Sequence, residues 1–160
     1  LTGHLVLSTV HTNDAPGAVT RLVDMGVEPF LVSSTLVGVL AQRLVRNLCP
    51  ECKTPYEPTA EEMIQLRLDP QPGLTFYREV GCSKCLETGY RGRSGIYELL
   101  LIDDDVRALI LKNVDAGTIR KTATAHGMKS LLMDGVRRVM AGQTTMEEVL
   151  RVAADEDEVI

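Results

Sequence analysis

Apolar and polar positions fall into blocks along the first third of the chain. The run Gly3-His4-Leu5-Val6-Leu7-Ser8-Thr9-Val10 is rich in apolar and β-branched residues and too short for an independent helix. That predicts a buried strand of a parallel sheet. A dense polar cluster follows, His11-Thr12-Asn13-Asp14, and then residues 15–26 read as a helix. Asn13 or Asp14 suits its N-cap, Pro16 its first turn and Gly26 its C′ position. A second helix is expected from Pro29 to about Asn47, with Leu31, Thr35, Val39, Gln42 and Arg46 tracking along successive turns. Strand, polar turn and helix in this order predict an α/β domain.

Farther along, Thr59-Ala60-Glu61-Glu62 has the spacing of a capping box and opens a short helix through about Leu68. Residues 74–78 read as a strand, residues 88–95 as a glycine-rich loop or tight turn, and residues 96–102 as a second apolar strand. Asp103 or Asp104 is positioned to cap a helix carrying Val106, Leu109 and Ile110. Further helices are expected over 116–125, 130–141 and 146–153, the last opened by Thr144-Thr145-Met146-Glu147 read as a capping box. Leu131, Leu132, Val136, Val139 and Met140 form an apolar stripe for core packing. The acidic run Asp155-Glu156-Asp157-Glu158 is expected to be frayed and solvated.

The chain has 160 residues, which suits one domain or two small ones. No apolar stretch approaches the roughly 18 residues that cross a bilayer. The start Leu1-Thr2-Gly3-His4 has neither an initiator Met nor a basic leader, and predicts a piece of a longer protein. Seventeen Lys+Arg stand against 22 Asp+Glu, a net charge of −5. This argues against a nucleic-acid partner, which needs clustered cations for phosphate contacts.

Two features carry chemistry. Loops and helix N-termini beyond the ends of α/β strands expose N–H groups to ligands, so His11, Thr12 and Asn13 could contact a phosphate or orient a water. Capping of the following helix is the plainer reading. His4, at the start of its strand, has the weaker claim. The second feature is the pair of knuckles Cys49-Pro50-Glu51-Cys52 and Cys82-Ser83-Lys84-Cys85. Two such turns can complete a closed tetrahedral site for structural zinc, with no position left for a catalytic water. Two disulfides or a thioredoxin-like pair fit less well, because no signal sequence and no βαβ pattern surround the knuckles. An iron–sulfur cluster would want more apolar shielding. In the loop Gly89-Tyr90-Arg91-Gly92-Arg93-Ser94-Gly95, guanidinium groups could meet an anion, or the arginines could simply be solvated. Residues 99–104 mimic a Walker B strand, but no G-x-x-x-x-G-K-[ST] phosphate loop exists in the sequence to partner it.

Taken together, several motifs resemble the bacterial secretion and pilus-assembly ATPases, with the type II secretion ATPases as the nearest match. The resemblance rests on residues 2–15, which look like that family's His box, on Ala41-Gln42-Arg43-Leu44-Val45-Arg46, on the paired knuckles, on residues 89–98 and on residues 142–150. It runs along nearly the whole chain in order. Pilus-assembly ATPases share the four cysteines and retraction ATPases lack them, and Glu147-Glu148-Val149-Leu150-Arg151-Val152 leans towards type II secretion.

The resemblance implies an α/β fold in three parts. Residues 1–48 would be the C-terminal part of a RecA-like ATPase domain, 49–97 a small α+β tetracysteine zinc module, and 98–160 a helical C-terminal subdomain. Walker A and Walker B lie upstream in that family and are not in this sequence, so the chain should not hydrolyse ATP alone. ATP and Mg²⁺ would belong to the full-length enzyme. Carried over position by position, His4 and His11 would sense the γ-phosphate, with His11 the direct contact. Cys49, Cys52, Cys82 and Cys85 would bind zinc, and Arg93 would reach a nucleotide or a neighbouring subunit. The implied partners are sister subunits of a homohexamer and inner-membrane platform proteins, met at the cytoplasmic face of the membrane. A zinc-stabilised docking module, or a zinc-ribbon module gripping nucleic acid through Arg78, Lys84, Arg91 and Arg93, are the rival functions.

Overall fold

The computed structural model describes residues 3–153. In chain order the elements are α1 (Ala15–Asp24), α2 (Pro29–Thr35), β1 (Gly38–Leu48), β2 (Thr54–Tyr56), α3 (Ala60–Gln65), β3 (Phe76–Arg78), β4 (Tyr90–Leu101), α4 (Asp104–Leu111), α5 (Ala116–Ala125), α6 (Leu131–Met140) and α7 (Met146–Ala153). β1 pairs with β4, and β2 pairs antiparallel with β3 with Pro55 opposite Tyr77. Helices and strands are mixed, as expected of an α/β chain, and no helix among the described residues is long and apolar enough to cross a membrane. The acidic run 155–158 lies outside the described residues.

Local chemistry sets most helix ends. Asp14 caps α1, its Oδ1 accepting the Gly17 N–H at 2.7 Å, and Pro16 occupies the first turn. Gly26 closes the same helix with φ +93°, a conformation that suits glycine. The Thr59–Glu62 capping box is reciprocal: Thr59 Oγ1 accepts the Glu62 N–H while Glu62 accepts the Thr59 N–H. Asp103, not Asp104, caps α4 by accepting from Val106 N–H at 2.9 Å. At α7 the cap shifts by one residue from the expected box. Thr145 accepts the Glu148 N–H, while the Thr144 hydroxyl donates to Arg46 O.

Three expectations are corrected. Residues 3–10 form neither strand nor helix, and Leu5, Val6 and Leu7 are 79%, 78% and 89% exposed. A strand needs a partner for its N–H and C=O groups, and no described strand pairs with this one. The second helix stops at Thr35, and residues 38–48 are strand β1. From Leu40 to Arg46 side chains alternate between outward and inward, so a period of two overrides the apparent helical spacing. The Arg/Gly segment is also strand rather than loop. β4 begins at Tyr90, pairs with β1, and ties to it through Ser94 Oγ, which donates to Asn47 Oδ1 at 2.7 Å.

The described chain forms two compact units, each assembled from separate segments. One comprises the residues up to Ala41 together with Glu98–Ser130. Its core holds Ala15 and Val19 from α1, Val32 from α2, Leu100 from β4, Val106 and Ile110 from α4, and Ile119 and Ala123 from α5. Each buried branched side chain here contributes about 1.5–3 kcal/mol relative to exposure. The other comprises Gln42–Tyr97 and, among the described residues, Leu131 to Ala153. There α6 and α7 pack closely at Gly135, where any added Cβ would run into the buried Val149 side chain.

Candidate metal centre and polar clusters

Each cysteine knuckle is a backbone turn that aims its sulfurs the same way. Cys49 follows directly on β1, donates its N–H to Gly89 O at 2.9 Å, and accepts at its own carbonyl from Lys53 N–H at 3.1 Å. In the second knuckle Cys82 O accepts from Cys85 and Glu87 N–H groups, and the chain reverses through Leu86 and Glu87 at φ 54° and 60°. Gly89, at φ +74° and pressed against Glu79, completes the reversal.

The four sulfurs meet, all within 4.8 Å of one another. Cys49–Cys82, Cys52–Cys85 and Cys82–Cys85 stand 4.0, 3.9 and 3.8 Å apart. These separations are well beyond the roughly 2.05 Å of a disulfide bond, and no pair is joined in this arrangement. Zinc–sulfur bonds of about 2.3 Å place the corners of a tetrahedron about 3.8 Å apart, so this donor set fits a four-thiolate zinc ion. Burial pushes the Cys52 thiol up to about 11. Burial acts the same way on Cys85, but the N–H groups of Cys82 and Gly89 on its sulfur outweigh it and hold this thiol down at about 7. These N–H bonds favour thiolate, the form a metal binds. Lys53 anchors the first knuckle, donating to Gly142 O at 2.6 Å with its ammonium over the Tyr77 ring.

His4 and His11 lie, exposed, on the irregular stretch ahead of α1. Thr12 donates its hydroxyl to Asp14 O. Sequence reasoning missed what anchors this stretch. Glu98, fully buried on β4, accepts the Ala15 N–H at 2.9 Å and Arg120 Nη1 at 3.2 Å. Arg120, from α5, also grips the capping carboxylate of Asp14. Burial raises the Glu98 carboxyl above its ordinary value, against the pull of the Ala15 N–H and the Arg120 charge. The start of α1 is therefore held by two carboxylates and one guanidinium.

A second buried glutamate organises the other unit. Glu148 on α7 accepts the Arg46 N–H at 2.9 Å and Arg46 Nη2 at 2.7 Å, and both Nε and Nη2 of Arg151. The Arg46 guanidinium lies 4.0 Å over the Tyr90 ring, whose hydroxyl meets Thr145 Oγ1 at 3.0 Å. Burial would raise the Glu148 carboxyl, yet these donors, Arg46 foremost, hold it down at about 2. The sequence signal for it was the misregistered capping box, one residue early. Arg93 sits exposed on β4 and lines a cleft of about 380 Å³ with Leu44, Arg46, Glu148 and Arg151.

Comparison with known proteins agrees along the whole chain. The family model described as type II/IV secretion system protein matches residues 1–151. The type II secretion system protein E of Pseudomonas aeruginosa is 54% identical over 98% of this chain and 31% of its own length. The type II secretion system ATPase E of Vibrio cholerae is 52% identical over 97% of this chain and 31% of its own. The type IV pilus assembly ATPase PilB of Myxococcus xanthus is 50% identical over 94% and 27%. The chain thus spans about a third of the length of these curated relatives, and it belongs to the type II/IV secretion system protein family.

Proposed function

We propose that this chain is the C-terminal portion of a hexameric ATPase that couples ATP hydrolysis to pseudopilus assembly and type II protein secretion. The observation that carries the reading is 52% identity, over 97% of the chain, to a relative named as a secretion ATPase. In this reading residues 1–48 complete a RecA-like ATPase domain, 49–97 form the metal module and 98–160 the helical subdomain. Zinc is held by Cys49, Cys52, Cys82 and Cys85, and the sulfur spacing supports it. Its role is to hold a small, core-poor module together, since structural zinc contributes about 10–16 kcal/mol in model peptides.

His11, with His4 behind it, reports the γ-phosphate of ATP bound with Mg²⁺ by the rest of the enzyme. Two features support this: His11 is exposed, and it stands three residues ahead of Asp14, the anchored cap of α1. Loss of the phosphate at His11 would be felt by a helix whose first turn is already clamped. Arg93 reaches a nucleotide or a neighbouring subunit. The full-length protein works at the cytoplasmic face of the inner membrane against platform proteins.

The chain by itself does not hydrolyse ATP, because its sequence contains no phosphate loop. The test sets the full-length parent beside this 160-residue chain. Turnover is expected in the first and none in the second; an inactive parent would end the motor reading. In the parent, His11→Ala should reduce turnover far more than nucleotide affinity, and unchanged turnover would remove the sensing role.

A further inference from the structure

The cleft beside Arg93 has a composition that the clustered arginines of unpaired phosphate sites share and that its own salt bridges do not exhaust. Three guanidiniums, Arg46, Arg93 and Arg151, line it with a single carboxylate, Glu148. Glu148 is 2% exposed and already accepts from both Arg46 and Arg151. One negative charge is thus divided between two cations, and the Arg93 side chain has no hydrogen-bond or ion-pair partner among the described residues. The cleft carries an excess of two positive charges. Three features keep that charge in place. The Arg46 guanidinium is fixed between Glu148 and the Tyr90 ring. Arg151 is bound to the buried carboxylate through both Nε and Nη2. Arg93 projects from a paired strand, and its neighbour Ser94 is locked to Asn47.

We infer that this cleft is a phosphate-binding site, in which Arg93 and the unused donors of Arg46 and Arg151 converge on one dianionic phosphate group. Planar guanidinium forks suit a tetrahedral oxyanion with several acceptor oxygens, and a dianion balances the two excess charges. Glu148 serves as the post that orients two of the three arginines and does not itself touch the ligand. At about 380 Å³ the cleft has room for more than the phosphate group alone, so the group can belong to free phosphate or to a nucleotide. The inference deepens the role proposed for Arg93 but requires no turnover, so it can fail while the ATPase reading stands.

The test is titration of the 160-residue chain with inorganic phosphate, and separately with ADP, at constant ionic strength made up with chloride. Binding is read from the Nε–H resonances of the arginines. Saturable shifts of Arg93 and Arg151 are expected, and Arg93→Ala should weaken binding by about tenfold or more, the scale of one charge-assisted bond. Arg91→Ala removes the same charge from the same strand at a residue that does not line the cleft, and should weaken binding clearly less than Arg93→Ala. Tighter binding of ADP than of phosphate would identify the nucleotide as the source; equal binding would identify the free ion. Shifts that chloride reproduces, or affinity that Arg93→Ala and Arg91→Ala alter equally, would overturn the site. Because the Arg93 side chain is exposed and makes no hydrogen bond or ion pair, its loss tests the cleft without unfolding it.

Discussion

The two units each bury one glutamate against arginine, and the two carboxylates respond in opposite directions. Glu98 is fully buried, accepts from one guanidinium and one N–H, and stands near a second carboxylate, Asp14; its carboxyl is raised. Glu148 is nearly as buried, accepts from two guanidiniums and an N–H, and is held down at about 2. Burial pushes both carboxyls up and weighs more heavily on Glu98; at Glu148 the two guanidiniums and the N–H outweigh it, whereas at Glu98 one guanidinium and one N–H, opposed by Asp14, do not. The Glu98 cluster joins three elements at the price of one under-compensated charge, whereas the Glu148 cluster is a fully ionised post.

Removing metal should separate the units most sharply. Chelation of the four-sulfur site is expected to abolish amide protection around β2, β3 and the knuckles while α1, α4 and α5 keep theirs, as read by hydrogen exchange. Equal loss in both units would mean that they do not stand independently. Next in size, Glu148→Ala strips the partner from two arginines and an N–H, and should cost about 3–5 kcal/mol in urea unfolding. Glu98→Gln keeps an acceptor for Ala15 N–H and leaves Arg120 on Asp14, so its cost should be smaller, about 1–2 kcal/mol.

Acidification should then move the units in opposite senses. The Glu148 contribution is complete above its unfolded value near 4.5 and disappears as pH falls through about 2. Glu98 has the reverse sign: its folded value lies above 4.5, so the first unit gains stability as pH falls from above that raised value to 4.5. Local exchange rates measured from pH 7 to 3 would show the two slopes, and parallel slopes would contradict the assignment. The smallest effect belongs to His126, whose Nδ1 meets Asp103 Oδ2 at 2.7 Å and whose pKa is raised by that bond. Its contribution is complete below about 6.5 and fades as pH rises through the raised value, so His126→Ala should matter only on the acid side.

The parts legible in the sequence are those fixed by neighbouring residues. Asp14, the Thr59–Glu62 pair and Asp103 act on N–H groups three positions away, and each cysteine pair closes a turn of four residues. The parts misread depend on distant partners. β1 fits a helical spacing and a strand spacing equally until β4 is known to lie beside it. Residues 3–10 have strand composition and no strand to pair with among the described residues. Glu98 and Glu148 read as ordinary polar positions, because their importance comes from Ala15, Arg120 and Arg46, far away along the chain.

The segment order of the two units also bears on how the polypeptide is made. The first unit needs Glu98–Ser130 to close over residues made before Gln42, and the second needs the described residues from Leu131 to Ala153 to close over Gln42–Tyr97. Neither core can be sealed while a ribosome is still working through the knuckles. On the ribosome, Ala15, Val19 and Val32 of α1 and α2 therefore meet Leu100, Val106, Ile110 and Ile119 only after β4, α4 and α5 emerge, so this core closes late.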